Sequence, residues 1–431
     1  MWYTNLGENV VCEMASVHPF FEITKHGSIG SPRCGVLRGC PTPCLVGTTR
    51  GGAVPYVTAD LMQLENMDIG SLPACVALEE VLLEYKHYAK QKQSLRDYFN
   101  LTLPKLVMLS IRQPGSLANT PTNADQISID TLHGRQKVDV ETYLNIIRAT
   151  KADINVALCD EVPFHASKNR HSKSVKRTLS WLSAIVEKGE AAEANEGIFG
   201  VVLGGNHMKL RKICAEGVAS FKGIQGVVIG GLGVGETDSE RRDVLENVLP
   251  LIPPEMCRLM KMAISPLGIL QAISKGIDVV QSDYAESITR LGYASVYLIP
   301  EVPGSEPNGN TVNGEGVLSE CSRDRKRRKT ELENPYPEHC PDNAVTKISL
   351  RDKRFERDTA PIMPGCNCFS CRSYCRAYIN HLLNAHEMLA STLVYIHNLS
   401  RLKLLVDRAR ESVRRGCFQE FFRLFKAHFT G

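Results

Sequence analysis

The sequence predicts an α/β protein: a closed (β/α)8 TIM barrel followed by a smaller subdomain nucleated by cysteines. Two observations predict the barrel. From about Thr42 to Pro300, short runs that are apolar at nearly every position alternate with amphipathic segments. Strands of that kind are buried on both faces, as parallel strands covered by helices are. With about eight such units a closed barrel is the economical solution, and an open doubly wound sheet is the alternative. No GxGxxG or Walker motif follows any run, which weakens the nucleotide-binding form of the open sheet. The third observation is a loss of apolar periodicity after about Val302, with a dense cysteine cluster beyond it.

The runs, in order, are CLVGTT (44–49), KLVMLSIR (105–112), INVALCDE (154–161), FGVVLGG (199–205), GVVIGGLG (226–233), RLMKMAIS (258–265) and VVQSD (279–283), with ASVYLIP (294–300) after them. The intervening segments read as helices. In DVETYLNIIRAT, Asp139 is placed to cap the N-terminus while Tyr143, Ile146 and Ile147 face inward. In VKRTLSWLSAIVEKG, Leu179, Leu182, Ile185 and Val186 form one face, and Gly189 is a stop. In NHMKLRKICAEG, Asn206 is the expected cap, with Leu210, Ile213 and Cys214 inward. In PLGILQAISKG, Pro266 sits where a first-turn proline is tolerated.

Residues 1–301 are therefore assigned to the main part of the barrel. Residues 302–346 are read as a disordered insertion, because Gly, Pro, Asn and charge dominate and the basic run Arg323–Arg328 lies inside it. Residues 347–431 hold the cysteine cluster and a helical tail. In that tail Phe418, Phe421, Phe422, Leu424 and Phe425 make an apolar face for packing on the core or on a partner.

At 43% apolar and 23% charged over 431 residues, the composition is that of a globular protein with a large core. A net charge of +4 permits a nucleic-acid partner without arguing for one. The opening MWYTNLGENVVCEM has neither a basic n-region nor an apolar h-region, and no stretch approaches the roughly 18 apolar residues of a membrane span. Fifteen cysteines, most of them scattered singly, are then expected as free thiols in a reducing compartment, and the clustered ones as metal ligands.

That cluster is Cys366-Asn-Cys368-Phe-Ser-Cys371, preceded by Gly365. Three thiols this close converge on one ion only in a tight knuckle. Zinc takes four tetrahedral ligands, and three thiolates with one imidazole form a closed structural site with no position for water. Cys375, His381, His386 and His397 are within reach in sequence as the fourth ligand. His397 lies 26 residues beyond Cys371. One straight helix of that length would place it roughly 39 Å away. It can ligate only if the chain folds back, and the residues alone leave Cys375 and His397 about even.

The spacing C-x-C-x2-C-x25-H, followed by RAYINHLLNAHEMLASTLVYIHNL, resembles the zinc subdomain of the tRNA-guanine transglycosylase family. Further resemblances are TPCLVGTTRGGAVPYVT at 42–58, ADINVALCDE, VKRTLSW, GVVLGGNHMKLR, GVVIGGLGVGE and GIDVVQSD. Together they cover about residues 35–300 and 355–425. The resemblance implies a (β/α)8 barrel with an inserted or C-terminal zinc-binding subdomain, holding one structural Zn2+ on Cys366, Cys368, Cys371 and His397. It also implies exchange of guanine for a 7-deazaguanine base, queuine in eukaryotes, at the wobble position of tRNA, through attack of an aspartate on the ribose and with a second aspartate handling protons.

Where the resemblance places the nucleophile, this chain has Gln281, and a neutral amide cannot act as a carboxylate. Asp283 lies two residues on, where strand geometry would keep it on the same face. The DSGGFQ motif that supplies the second aspartate is absent, and the corresponding strand reads VMLSIRQPG, with Ser110 and Arg112 near its end. The base-binding glutamine falls on Leu203, while Gly204, Gly205, Gly230, Gly231 and Asp160 remain. Three separate losses predict no catalytic residue in this chain. By resemblance it is the diverged subunit of a eukaryotic heterodimer, paired one-to-one with a catalytic homologue and helping to hold tRNA, with Arg372 and Arg376 as candidate phosphate contacts. An active enzyme using Asp160 and a shifted Asp283 is the alternative. The implied location is cytoplasmic, with peripheral attachment to the mitochondrial outer membrane and no integral span.

Overall fold

The computed structural model describes residues 19–25, 27, 30–63, 68–101, 104–113, 125–188, 196–261, 265–304 and 346–430. Eight parallel strands close into a barrel. They are β1 Cys44–Thr48, β2 Ala74–Ala77, β3 Val107–Ser110, β4 Ile154–Val156, β5 Gly197–Val202, β6 Gly226–Ile229, β7 Cys257–Met260 and β8 Val279–Gln281. Each pairs with its neighbour, and Val279, Val280 and Gln281 close the ring against Cys44, Leu45 and Val46.

Seven of the eight strands lie on the runs read from sequence. The eighth differs. ASVYLIP is not a barrel strand: Tyr293–Ser295 pairs antiparallel with Lys347–Ser349 beside the cysteine-rich segment. The missing strand is β2, whose sequence is ACVA. Four small residues with a single β-branched side chain give almost no strand signal, yet all four are buried.

The helices that cover the barrel and concern the sites below are α1 Tyr85–Gln91, α2 Val140–Thr150, α3 Lys168–Lys188, α4 Met208–Ala219, α5 Asp238–Val248, α6 Pro266–Ser274 and α7 Tyr284–Arg290. Asp139 caps α2 as expected, its carboxylate accepting from the Thr142 amide at 2.8 Å. Pro266 opens α6 behind a Ser265 cap. The Gly189 stop and the basic run at 323–328 lie outside the described residues. The N-cap of α4 is His207 rather than Asn206. Its inward face also differs, because Ile213 is 55% exposed whereas Arg211 is fully buried.

After the barrel come α8 Arg376–Asn384, α9 Met388–Arg415 and α10 Phe418–Thr430. The 28-residue α9 is about 42 Å long and belongs to two cores. Its start (Ala390, Leu393, Val394) packs with Ile348, Leu350, Ile362 and Ile379 in the smaller core. Its remainder (Ile396, Leu399, Leu402, Leu405) packs in the barrel core. Gly416, at φ 79°, ends α9 in the left-handed conformation that favours glycine, so the tail is two helices rather than one. In α10, Phe418, Phe421, Phe425 and Phe429 are buried, and Tyr297 meets Phe425 and Phe429 edge-on. The apolar face of the tail is thus used on the chain's own core.

Candidate metal centre and barrel mouth

Between α8 and α9 the chain reverses at Ala385–Glu387, with His386 at positive φ. That reversal solves the distance problem of a single helix and returns His397 to the cysteine knuckle. The Sγ atoms of Cys366, Cys368 and Cys371 and a ring nitrogen of His397 all lie within 4.8 Å of one another. Nδ1 of His397 is 3.8, 3.5 and 3.3 Å from the three sulfurs. A tetrahedron with metal–sulfur bonds of about 2.3 Å and metal–nitrogen bonds of about 2.0 Å has sulfur–nitrogen edges of about 3.5 Å, so the spacing fits one ion. Cys375 is the N-cap of α8 and is not part of this group.

The surroundings fix each ligand. Nε2 of His397 donates to the Ser295 carbonyl at 2.8 Å, which leaves the Nδ1 lone pair facing the thiols. Asn398 holds the same strand, accepting from the Ser295 amide at 2.8 Å and donating to the Tyr293 carbonyl and the Thr289 hydroxyl at 2.9 Å each. The Cys371 amide donates to the Cys368 sulfur at 3.4 Å. Contact with Cys368, then with Cys371, holds the Cys366 thiol far below the ordinary range, and contact with Cys366, then with Cys368, raises the Cys371 thiol far above it. These four residues can hold a metal ion, and no fifth donor joins the group among the described residues.

Arg376, a candidate phosphate contact whose alternative reading is a structural residue of the subdomain, makes structural contacts. It donates to the Ile362 carbonyl at 3.2 and 3.1 Å and to the Asp358 carboxylate at 2.9 Å.

The second site is the mouth of the barrel at the C-terminal ends of the strands, where chemistry in this architecture is built. Gln281 ends β8 and is only 1% exposed. It lies beside the Cys75 thiol, and its amide makes no hydrogen bond of ordinary geometry among the described residues. Asp283 is not its strand-mate. The strand ends at Gln281, and Asp283 is the N-cap residue of α7 at φ −99°, ψ 7°, with its carboxylate accepting from Ser287 at 3.2 Å. The expected two-residue alternation fails because the chain has already turned. Burial raises the Asp283 carboxyl above its ordinary value.

Asp160 is equally committed. Arg170 grips both its oxygens at 2.7 Å, and Arg177 adds a third contact at 3.1 Å. Its neighbour Glu161 forms a buried pair with Lys261 at 3.4 Å and accepts from the Gly231 amide at 3.3 Å. Burial opposes both charges, but Lys261 holds Glu161 below the usual carboxylate range, and Glu161 holds Lys261 above the usual amine range. Leu203 closes the space over the glycine turn: a Cβ built on Gly230 would come within 3.0 Å of its methyl group. Arg112 turns away to the Ser128 carbonyl at 2.5 Å.

Arg211 organises both glycine turns and was not legible in the sequence. Its guanidinium donates to the carbonyls of Gly205 (3.0 Å), Val202 (3.2 Å), Gly230 (2.8 Å) and Gly231 (3.2 Å). Burial lowers its pKa to about 10, since the partners are carbonyls rather than carboxylates.

The family model described as queuine tRNA-ribosyltransferase matches residues 27–430, which takes in both the barrel and the cysteine knuckle. The chain belongs to this family. Among its relatives, the queuine tRNA-ribosyltransferase accessory subunit 2 of Gallus gallus is 25% identical over 379 residues, covering 85% of this chain and 86% of the relative. The accessory subunit 2 of Anopheles gambiae is 26% identical over 391 residues, covering 86% and 81%. A queuine tRNA-ribosyltransferase of Synechococcus sp. (strain CC9311) is 30% identical over 287 residues, covering 65% of this chain and 62% of that protein. The match to the bacterial relative thus spans less than two thirds of its length. This member of the queuine tRNA-ribosyltransferase family has the cysteine–histidine group on the knuckle and two glycine turns at the mouth. A leucine, an ion pair and an amide stand around the mouth. No helix of the described residues is long and apolar enough to cross a membrane.

Proposed function

We propose that this chain is the non-catalytic subunit of a heterodimeric queuine tRNA-ribosyltransferase. It supports the exchange of guanine for queuine at the tRNA wobble position by pairing with a catalytic homologue. The observation that carries this reading is Gln281. The position to which the family resemblance assigns the nucleophile holds an amide, and the two nearby aspartates are unsuited to replace it. Asp160 is neutralised by two arginines, and Asp283 has left the strand. Displacing a nucleophile by one strand step costs far more than a reaction tolerant to about 1 Å allows. The two accessory-subunit relatives, matched over most of their length, support the same reading.

The Cys366, Cys368, Cys371 and His397 set fits zinc best among available divalent ions, since soft thiolates with one imidazole in a tetrahedron select it. Zinc there would neutralise the thiolates and tie the knuckle to α9, a structural role with no open coordination position.

The test is co-expression with a catalytic homologue, size-exclusion chromatography and incorporation of labelled guanine into tRNA. A one-to-one complex that is active, beside an inactive isolated chain, is expected. A monomer that never pairs with such a homologue would overturn the reading.

A further inference from the structure

On the flank of the barrel, a groove of about 680 Å3 runs between α1 and α2. Lys86, Lys90 and Lys92 line one wall, Arg148 and Lys151 the other, and no carboxylate lines it. All five cations are exposed, and none has an ion-pair partner among the described residues. The Ser94 hydroxyl, then its amide, engage the Asp97 carboxylate and hold it below its ordinary value, with Lys151 contributing least. Tyr85 stands half-buried in the same groove, with the Lys86 ammonium 5.9 Å from its ring centroid. Helices in a barrel run against the strands, so this groove, at the C-terminal ends of α1 and α2, faces the end opposite the mouth.

Folding does not ask for this arrangement. Cations at Lys90, Lys92, Arg148 and Lys151 do suit helix C-termini, but Lys86 lies in the first turn of α1, the end that disfavours positive charge. Lys86 and Lys90 are four residues apart and Arg148 and Lys151 three apart, spacings at which like charges repel. Lys92 and Lys151 both sit at helix C-caps in the left-handed conformation, at φ 55° and 49°, where glycine is the usual residue. Two positions therefore carry a lysine against the local backbone preference, and both aim charge at one concavity.

We propose that this groove binds the phosphodiester backbone of RNA. A concave channel with cations on both walls and an aromatic edge matches a charged ridge, and its lining lacks the exposed large apolar residues that would insert into a lipid surface. Identifying that RNA as tRNA rests on the function proposed above; the phosphate chemistry does not.

The test is binding of the full chain to a tRNA transcript over a salt series, beside vesicles of phosphatidylcholine and phosphatidylserine. Two double variants are compared, Lys92→Gly with Lys151→Gly and Lys86→Glu with Lys90→Glu. The first relieves the left-handed positions and should melt no lower than the parent; the second gains acid in the first turn of α1 and loses a cation from its last turn, opposing effects that should leave it melting close to the parent. Each lost phosphate contact removes about 0.7–0.9 from the slope of log affinity against log salt. The glycine pair should therefore weaken RNA binding on the order of 25- to 60-fold at about 0.1 M salt, and the reversed pair by more. Affinity and slope unchanged in folded variants overturn the proposal. So does a parent chain that ignores RNA at low salt, or one that binds only the vesicles. Pairing with the catalytic homologue is scored on the same proteins. Intact pairing with unchanged RNA binding rejects the groove alone, whereas a parent that fails to pair rejects the subunit reading and leaves the groove to the RNA measurement.

Discussion

The metal centre and the barrel mouth sit at opposite ends of one short stretch of chain, from Gln281 to Ser295, and treat their buried polar groups in opposite ways. At the metal centre two of the four ligands are oriented by a further contact: Ser295 receives His397 and is itself pinned by Asn398, and the Cys371 amide meets the Cys368 sulfur. At the mouth, the backbone turns are kept by Arg211 while Gln281 is buried without a hydrogen bond of ordinary geometry and Glu161 is neutralised by Lys261. The difference teaches that scaffold and chemistry can separate. One site gathers four possible metal ligands around one point, and the other engages its carboxylates in ion pairs and turns its glycines around Arg211.

The largest expected effect is at the metal centre. Binding of structural zinc to small domains contributes roughly 10–16 kcal/mol of apparent free energy. Chelation, or Cys371→Ala, should therefore lower the melting temperature by more than about 10 °C and release the ion. Elemental analysis should read one zinc per chain. A protein that melts unchanged without metal would remove the contrast between the two sites.

Next is the clamp. Arg211→Met removes the donor to the Gly205, Gly230 and Gly231 carbonyls, while the Val202 carbonyl keeps the Gly230 amide, and should cost roughly 3–5 kcal/mol in denaturant unfolding. A cost near zero would mean that the glycine turns hold themselves.

The mouth should also show itself in pH dependence. Burial raises Glu80 to about 7, against the lowering contacts from the Gly52 amide and the Thr49 hydroxyl. Between about pH 4.5 and 7 the folded state keeps a proton that the unfolded state releases, so stability falls as pH rises through that window and levels off above it. The loss should be on the order of 2–3 kcal/mol, and Glu80→Gln should flatten it. A stability curve equally steep in the variant would place the titration elsewhere.

The smallest effect is the sharpest. A buried amide without partners costs roughly 1–3 kcal/mol, so Gln281→Leu should stabilise the chain by about 1–2 kcal/mol. Destabilisation would mean that Gln281 is held by a contact of its own, and the mouth would not be idle.

Much of this was legible in the sequence, for physical reasons. Parallel strands buried on both faces announce themselves, which is why seven of eight were found. ACVA did not, because small residues carry little periodicity and β2 is buried by its neighbours rather than by its own pattern. ASVYLIP reads as a strand because its apolar residues are shared between two cores, with Val296 in the smaller one and Tyr297 in the larger. The cysteine knuckle was legible from spacing. The choice between Cys375 and His397 needed the family resemblance, since a fold-back between α8 and α9 has no local signature beyond a few polar residues. Arg211 was invisible because an arginine in an amphipathic helix reads as surface, and its true partners are carbonyls from 6 to 20 residues away. The Arg170 and Arg177 grip on Asp160 was hidden in the same way within α3.

A barrel with an amide at position 281 and with Asp160 and Asp283 engaged elsewhere should form no covalent intermediate with RNA. The direct measurement is denaturing electrophoresis of the purified chain incubated with labelled tRNA, alone and with a catalytic homologue. No covalent RNA band should form on this chain in either lane, and an adduct should form on the homologue only. An adduct on this chain, abolished by Asp283→Ala or Asp160→Ala, would contradict this expectation.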